Sequence, residues 1–239
     1  MDKKIGTLYG IGVGPGDPEL VTVKASKILA CVDIVFAAAS TKNNYSLAVN
    51  IAKAYIPEKT TIKMLFFPMT IDKNETQKAW EEHSKTIIAE LEKGRDAAFL
   101  TLGDSMTYST YGYILRNIQN MAPSIKIETI PGITSYQAAA ACLNMPLVEG
   151  EESLLLLSGA NGGEKLRSFS NKPENIVFLK AYRNIKDINS TIDGAKVFEK
   201  SVGIINCGQQ NQEIINNIEE LNHKKPDYWT LIIAKQKIK

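Results

Sequence analysis

Short apolar runs alternate with segments whose apolar residues recur at helical spacing through the first half of the chain. Runs rich in Val, Ile, Leu and Phe predict buried strands. They lie at Gly6–Ile11, Ile34–Ala38, Thr61–Leu65, Ala97–Thr101 and Ile125–Thr129. Strand followed by helix, repeated, predicts a parallel or mostly parallel sheet covered by helices.

The intervening segments predict the helices of this half. They run over Val23–Cys31, Tyr45–Tyr55, Asn74–Lys93, Thr107–Gln119 and Tyr136–Leu143. Thr22 is predicted to be the N-cap of the first helix, because its hydroxyl can accept a hydrogen bond from a free backbone N–H. Gly94 is expected to end the longest helix.

The second half of the chain differs in composition. Short apolar runs predict strands at Leu154–Ser158, Ile176–Lys180, Val202–Asn206 and Trp229–Lys235, with Gly, Asn and Ser in the joining segments. Polar residues, Met and Pro interrupt the pattern at Asn117–Ser124, and we place the domain boundary there. The sequence therefore predicts two α/β domains, residues 1–118 and residues 119–239.

The amino-acid composition argues against several kinds of binding partner. Apolar residues make up 44% of the 239 residues and charged residues 23%, which is enough for a buried core. The net charge of +2 is too small to indicate nucleic acid or an anionic membrane as a partner. No apolar run approaches the length of a membrane span, and no signal-peptide pattern is found. We expect a cytoplasmic protein with no nucleic-acid and no membrane partner.

Cysteine and histidine are sparse. Cys31, Cys142 and Cys207 are far apart, and the two histidines, His83 and His223, are isolated. Neither a disulfide framework nor a cluster of metal ligands is indicated. We therefore expect no metal site formed by the protein.

The first predicted strand ends in a glycine-rich loop, Gly12-Val-Gly-Pro-Gly-Asp-Pro18. Glycines let backbone N–H groups approach a ligand closely. The dinucleotide pattern G-x-G-x-x-G does not fit, because the third glycine, Gly16, comes one residue early and no acidic residue ends the next strand. A tight strand-to-helix turn without a ligand is the alternative, and the sequence leaves it open.

Two further loops follow predicted strands. Gly103-Asp104 comes at the carboxyl end of a buried strand, where ligands bind in open α/β sheets. Asp104 can hydrogen-bond a ribose hydroxyl or an amide, or cap the next helix, and both roles stay open. After the turn at Pro131-Gly132, Thr134 and Ser135 can cap an Ala-rich helix, for which close packing in the core is the alternative.

No Ser-His-Asp or Cys-His arrangement can be recognised in the sequence. This favours chemistry driven by a donor that is already reactive, such as methyl transfer from a sulfonium. In such a reaction proximity and alignment supply on the order of 7–11 kcal/mol without a protein nucleophile.

At these three loops the chain resembles the tetrapyrrole methylases, which use S-adenosylmethionine to methylate corrin and siroheme precursors. The segment Gly12–Ala25 is similar to the family's opening motif, and Gly103-Asp104 and Pro131–Ser135 match two other landmarks. The resemblance implies an α/β fold, in which two α/β domains enclose a cofactor cleft between them. This is the tetrapyrrole methylase fold, which belongs to the class III S-adenosylmethionine-dependent methyltransferases. It also implies S-adenosylmethionine as the cofactor, a tetrapyrrole as the substrate and a homodimer.

Within the family, three segments resemble the branch that methylates C20 of precorrin-2 or cobalt-factor II in cobalamin (vitamin B12) biosynthesis. They are Gly103–Thr110, Phe66–Met69 and Lys180–Asn184, although Ser105 stands where the common motif has proline. The alternatives are methylation of uroporphyrinogen III, an RNA methyltransferase of the same fold, and a non-enzymatic nucleotide-binding module. No motif tells whether the substrate carries cobalt.

The resemblance also assigns residues by position. The substrate would lie against Gly14, Pro15, Gly16 and Asp17, and Tyr108 and Asp17 are the catalytic candidates. The implied reaction is an in-line displacement by the C20 carbon, and the base that then removes a proton stays open between Tyr108 and water. Candidate partners for substrate carboxylates are Lys24, Lys42, Arg116, Lys180 and Arg183. The cofactor would contact Gly103, Asp104, Thr107, Tyr108, Thr134, Ser135, Lys180, Ala181, Tyr182, Gly203, Asn206 and Thr230.

Overall fold

The computed structural model describes residues 4–40, 46–68, 70, 72–224 and 227–236. Lys42, Met69 and the first residue of the predicted helix Tyr45–Tyr55 lie outside the described residues. The chain divides into two compact units, Met1–Thr134 and Ser135–Lys239.

The first unit contains a five-stranded sheet in the order β3-β2-β4-β1-β5. Each neighbouring pair runs parallel, which confirms the prediction from the alternation of strand and helix. The order places the carboxyl ends of β1, β4 and β5 side by side. The strands are β1 (Leu8–Gly12), β2 (Ile34–Ser40), β3 (Thr61–Phe67), β4 (Ala97–Thr101) and β5 (Ile127–Ile130).

Helices pack on both faces of this sheet. Leu100 of β4 packs in one buried cluster with Leu29 of α1, whereas its neighbour Phe99 packs in another with Ile114 of α4. Thr22 caps α1 as predicted, since its Oγ1 accepts a hydrogen bond from the backbone N of Ala25 at 3.2 Å. The helices are α1 (Val23–Leu29), α2 (Leu47–Ala52), α3 (Lys73–Leu91) and α4 (Tyr111–Met121), with 3₁₀ turns at Pro18–Leu20 and Lys53–Tyr55.

The start of α4 differs from the prediction. The helix begins at Tyr111 rather than at Thr107, and its N-cap, Thr110, makes no side-chain cap hydrogen bond. Tyr108 has a φ of +49°, a left-handed conformation that cannot continue a right-handed helix. The alternative role of Asp104 as the cap of this helix is therefore wrong.

The second unit contains a mixed five-stranded sheet in the order β6-β7-β10-β8-β9. The β6–β7 pair is parallel and the other pairs are antiparallel. The elements are α5 (Ser135–Cys142), β6 (Leu154–Ser158), α6 (Glu164–Arg167), β7 (Asn175–Leu179), α7 (Ile185–Ala195), β8 (Phe198–Ile205), β9 (Glu213–Ile215) and β10 (Leu231–Gln236), with 3₁₀ turns at Gly159–Asn161 and Ile218–His223.

Buried clusters cover both faces of the second sheet as well. Phe178 packs in a cluster with Ile188 of α7, and Val177 packs in another with Ala139 of α5. No helix of the described ranges is long and apolar enough to cross a membrane.

The division between the units differs from the boundary predicted after residue 118. It falls after Thr134 because β5 pairs with β1 and so belongs to the first sheet. The polar interruption at 117–124 covers the end of α4 and the connection to β5, rather than a linker between domains.

Candidate functional site

The glycine-containing loops that follow β1 and β4 are joined directly through their backbones. Gly103 N donates to Gly14 O at 2.8 Å, and Gly14 N donates to Gly103 O at 3.2 Å. The two residues have φ values of +79° for Gly14 and +68° for Gly103, a conformation that favours glycine. Two of the three predicted loops therefore meet at the carboxyl end of the first sheet.

The third loop packs against this bridge without a side chain between them. A Cβ on Gly132 would lie 2.1 Å from Gly103 O and 2.7 Å from the carbonyl carbon of Gly12. A Cβ on Gly12 would lie 2.6 Å from Gly103 O. Any residue larger than glycine would force these backbones apart, so the loops after β1, β4 and β5 form one tightly packed edge.

Asp104 holds the second and third loops together. Its Oδ1 accepts hydrogen bonds from Met106 N at 2.9 Å and from Thr107 Oγ1 at 3.1 Å. Its Oδ2 accepts a hydrogen bond from Gly132 N at 3.1 Å. Both carboxylate oxygens are thus used within the edge, and Thr107 is positioned by the same side chain.

Tyr111 fixes the far end of the second loop. Its buried ring lies over Gly10 of β1, where a Cβ would come within 2.0 Å of the ring carbon Cζ. Its hydroxyl is 2.9 Å from Thr129 Oγ1 on β5. Burial raises the pKa of this phenol above its usual range, and the hydrogen bond with Thr129 acts in the opposite direction.

The remaining residues predicted in the first unit have distinct local roles. Asp17 Oδ1 accepts a hydrogen bond from Glu19 N at 2.9 Å and so caps the 3₁₀ turn Pro18–Leu20. Tyr108 has an exposed side chain, whereas Thr134 is buried. Gly14 and Pro15 are buried, and Gly16 is partly buried beside them.

Most of the residues predicted in the second unit also meet at one edge of a sheet. Ala181 N, just after β7, donates to Thr230 O, just before β10, at 2.9 Å. Asn206, just after β8, is buried and adopts a φ of +53°. Lys180 has a φ of +57°, which turns the chain at the end of β7 and leads into Tyr182.

Gly203 does not lie at this edge. It is inside β8, in register with Ile232 of β10 and Ile215 of β9. A Cβ there would lie 2.9 Å from Leu221 Cδ1, so the glycine makes room for core packing. Its predicted contact with the cofactor has no support from this position.

In the part of the chain that the structure describes, no group of three or more His, Cys, Asp and Glu residues is placed to hold a metal ion.

Comparison with known proteins places the chain in a family. The model of the Tetrapyrrole (Corrin/Porphyrin) Methylases matches residues 7–222. The chain belongs to the tetrapyrrole methylases. The cobalt-precorrin-2 C(20)-methyltransferase of Salmonella typhimurium is 31% identical, over 97% of this chain and 97% of the relative. A probable cobalt-precorrin-2 C(20)-methyltransferase of Methanocaldococcus jannaschii is 33% identical, over 99% of each chain.

A solved structure shares the fold of this tetrapyrrole methylase. Uroporphyrin-III C-methyltransferase from Thermus thermophilus, in complex with S-adenosylhomocysteine, superposes with a TM-score of 0.67 at 20% identity. The match covers 96% of this chain and 97% of that chain. The predicted fold class, two α/β domains of the tetrapyrrole methylase type, is confirmed.

One residue of this tetrapyrrole methylase departs from the common Gly-Asp-Pro motif. Ser105 replaces the proline, is fully buried and donates from Oγ to Ile130 O at 3.5 Å. Proline would fix φ by its ring. Here a hydrogen bond to the end of β5 links the loop to the next strand instead.

The turn at 227–230 of this tetrapyrrole methylase was not predicted from the sequence. Asp227 Oδ2 accepts a hydrogen bond from Asn206 Nδ2 at 2.8 Å, which connects this turn to the end of β8. Aspartate is favoured at the first position of a β-turn and was the available signal. The central residues, Tyr228 and Trp229, are not typical turn formers, so the segment was interpreted as the beginning of a strand.

Proposed function

We propose that this tetrapyrrole methylase transfers a methyl group from S-adenosylmethionine to C20 of a precorrin-2-type tetrapyrrole in cobalamin biosynthesis, and that the substrate carries cobalt. The observation that carries the proposal is the full-length similarity to two relatives that are both named cobalt-precorrin-2 C(20)-methyltransferases. Cobalt would enter as part of the substrate.

The edge of the first sheet fits the cofactor. A Cβ on Gly103 would have only Ile133 O within 4 Å, at 3.8 Å, so the backbone is open there beside the Asp104 turn. A protein of the same fold was solved in complex with S-adenosylhomocysteine, the product of the cofactor. When bound, S-adenosylmethionine supplies a methyl group that is already activated by its sulfonium.

The protein's contribution would be to hold and aim the reactants. We infer that Gly103, Asp104 and Thr107 contact or position the cofactor, because one carboxylate fixes both loops. Preorganised loops reduce the entropy lost on the way to the transition state. Tyr108, in the same loop, stays a candidate base alongside water. Asp17 stays a candidate for orienting the substrate, together with Gly14, Pro15 and Gly16.

In the second unit, Ala181, Asn206 and Thr230 stay predicted cofactor contacts, while Lys180 and Tyr182 are assigned to the substrate below. We also propose a homodimer in the cytoplasm. Sedimentation velocity of the purified protein tests the dimer, and a single species at the mass of one chain would contradict it.

A methyl-transfer assay with S-adenosylmethionine tests the function. Cobalt-factor II, metal-free precorrin-2 and uroporphyrinogen III are offered in parallel, and products are analysed by mass and by NMR for the methylated position. We expect one added methyl group, at C20, with cobalt-factor II as the best substrate. Preference for precorrin-2 would overturn the cobalt assignment alone. Turnover of uroporphyrinogen III alone would overturn the C20 assignment and keep the family.

A further inference from the structure

The turn at 227–230 presents two aromatic side chains to solvent. Thr230 donates to Asp227 O twice, from N at 3.1 Å and from Oγ1 at 2.7 Å, which closes the turn. The hydrogen bond from Asn206 Nδ2 to Asp227 Oδ2 fixes it against the end of β8. Tyr228 and Trp229 occupy the two central positions and are 38% and 43% exposed.

A third ring extends this surface. The centroids of Tyr228 and Trp229 are 4.8 Å apart and those of Tyr182 and Tyr228 are 5.1 Å apart, both edge-to-face. The hydrogen bond from Ala181 N to Thr230 O keeps the two segments side by side. We call Tyr182, Tyr228 and Trp229 the aromatic cluster. These hydrogen bonds hold the two backbone segments side by side and so bring the three rings together.

Two cations lie against the aromatic cluster. Lys180 Nζ is 5.8 Å from the centroid of Tyr228, and the guanidinium carbon of Arg183 is 5.0 Å from the centroid of Tyr182. These distances are in the range of cation–π contacts. The surface therefore combines three aromatic rings with two positive charges, and the carboxylate of the turn, Asp227, is hydrogen-bonded to Asn206.

We propose that the aromatic cluster, with Lys180 and Arg183, binds the tetrapyrrole substrate. This inference rests on the proposed function and names the substrate-binding surface in the second unit. A tetrapyrrole is a flat conjugated ring that carries several carboxylates, so it complements both the rings and the cations. S-adenosylmethionine carries a sulfonium and an ammonium beside one carboxylate, so two nearby cations complement it poorly. Charge complementarity therefore favours the substrate over the cofactor.

Trp229→Ala and Trp229→Phe test the aromatic contribution. The Kd for cobalt-factor II is measured from its visible absorption, the Kd for S-adenosylmethionine by calorimetry, and kcat and KM by methyl transfer. Stacking on an aromatic side chain typically changes affinity by about tenfold or more. We therefore expect Trp229→Ala to raise the Kd and the KM for the tetrapyrrole by about tenfold. The kcat and the Kd for S-adenosylmethionine should stay unchanged, and Trp229→Phe should restore most of the affinity.

A matched control is an exposed aromatic ring outside the aromatic cluster. Phe169, after α6, is 41% exposed, close to the 43% of Trp229. We expect Phe169→Ala to leave the Kd for cobalt-factor II unchanged.

Arg183→Gln tests the charge contribution. We expect weaker tetrapyrrole binding and a smaller loss of affinity as salt is added, because one screened attraction is removed. A wild-type KM in Trp229→Ala, or a weakened affinity for S-adenosylmethionine in its place, would overturn the inference and leave the proposed function intact. A wild-type protein that methylates no tetrapyrrole would overturn both.

Discussion

At the scale of single residues, Asp104 shows how one carboxylate organises the site. Its two oxygens accept three hydrogen bonds, from Met106, Thr107 and Gly132. One of these donors belongs to a different loop, so loss of the carboxylate would disturb both loops. Asp104 therefore positions both loops, and its proposed role in cofactor binding rests on that.

Asp104→Ala is expected to weaken S-adenosylmethionine binding. Loss of a hydrogen bond to a charged group costs about 1.5–3 kcal/mol, which corresponds to roughly a tenfold or larger rise in Kd. Calorimetric titration of S-adenosylmethionine measures the effect.

Asp72→Ala is the matched control for this change. Asp72 Oδ1 accepts hydrogen bonds from Asn74 N at 2.8 Å and Glu75 N at 3.4 Å at the start of α3, a similar local cap away from the three loops. It should lower stability without changing the Kd. Equal effects of the two variants on the Kd would mean that Asp104 acts only through stability.

The site residues that the sequence could predict are those whose motif carries a backbone requirement. Gly103 and Gly132 lie after strand ends, where the sequence placed two of the loops, and only glycine fits the close backbone contact between them. Gly203 was assigned by position alone, and it packs in the core. Trp229, which we propose as a substrate contact, could not be found from its own sequence context, because the turn that carries it is joined to Asn206 and Ala181, which are distant in the chain.

At the scale of elements, the loops after β1, β4 and β5 are in close backbone contact. Gly132→Ala would place a methyl group 2.1 Å from Gly103 O, so the loops must separate. We expect the free energy of unfolding to fall by about 2 kcal/mol or more. Urea denaturation followed by circular dichroism measures the change.

Gly112→Ala is the comparison variant for this substitution. Gly112 lies in α4, and a Cβ there would meet only Arg116 Nη1 at 4.0 Å. Since alanine favours a helix over glycine by up to about 1 kcal/mol, this change should leave stability unchanged or raise it. A Gly132→Ala variant as stable as Gly112→Ala would contradict the close packing.

Elements with a continuous apolar run were predicted best. Ala97–Thr101 and Leu154–Ser158 have the bounds that the sequence predicted. Helix α7, Ile185–Ala195, was not predicted, because Asn, Ser, Thr, Asp and Gly in its sequence are weak helix formers. Burial of Ile188 and Ile192 against the second sheet stabilises it instead, and that packing cannot be read from local propensity.

At the scale of the whole molecule, ionisable groups in both units contribute to the pH dependence of the free energy of unfolding. Hydrogen bonds from Lys93 to Glu90, from Lys24 to Glu128, from Ser153 to Glu174 and from Arg167 to Asp187 lower the pKa of these four carboxyls. Burial raises the pKa of the Cys207 thiol to about 11. The folded state therefore favours charged carboxyls and an uncharged thiol.

We expect stability to be highest between about pH 5 and 9. A carboxyl with a lowered pKa stabilises the fold above its ordinary pKa, and this contribution is lost as the pH falls through the folded-state value. A thiol with a raised pKa does the reverse, so its contribution is lost as the pH rises toward about 11. Urea midpoints across this range measure the profile. Cys207→Ala should reduce the alkaline loss, and a midpoint that rises below pH 5 would contradict the acid side.

The order of strands in the two sheets also has a consequence during synthesis. β4 lies between β1 and β2, and β10 lies between β7 and β8. In each sheet, therefore, a strand that is synthesised later lies between two strands that are synthesised earlier and pairs with both. A nascent chain that has not reached Leu231–Gln236 therefore exposes the facing edges of β7 and β8, and the second sheet closes only when that late segment arrives.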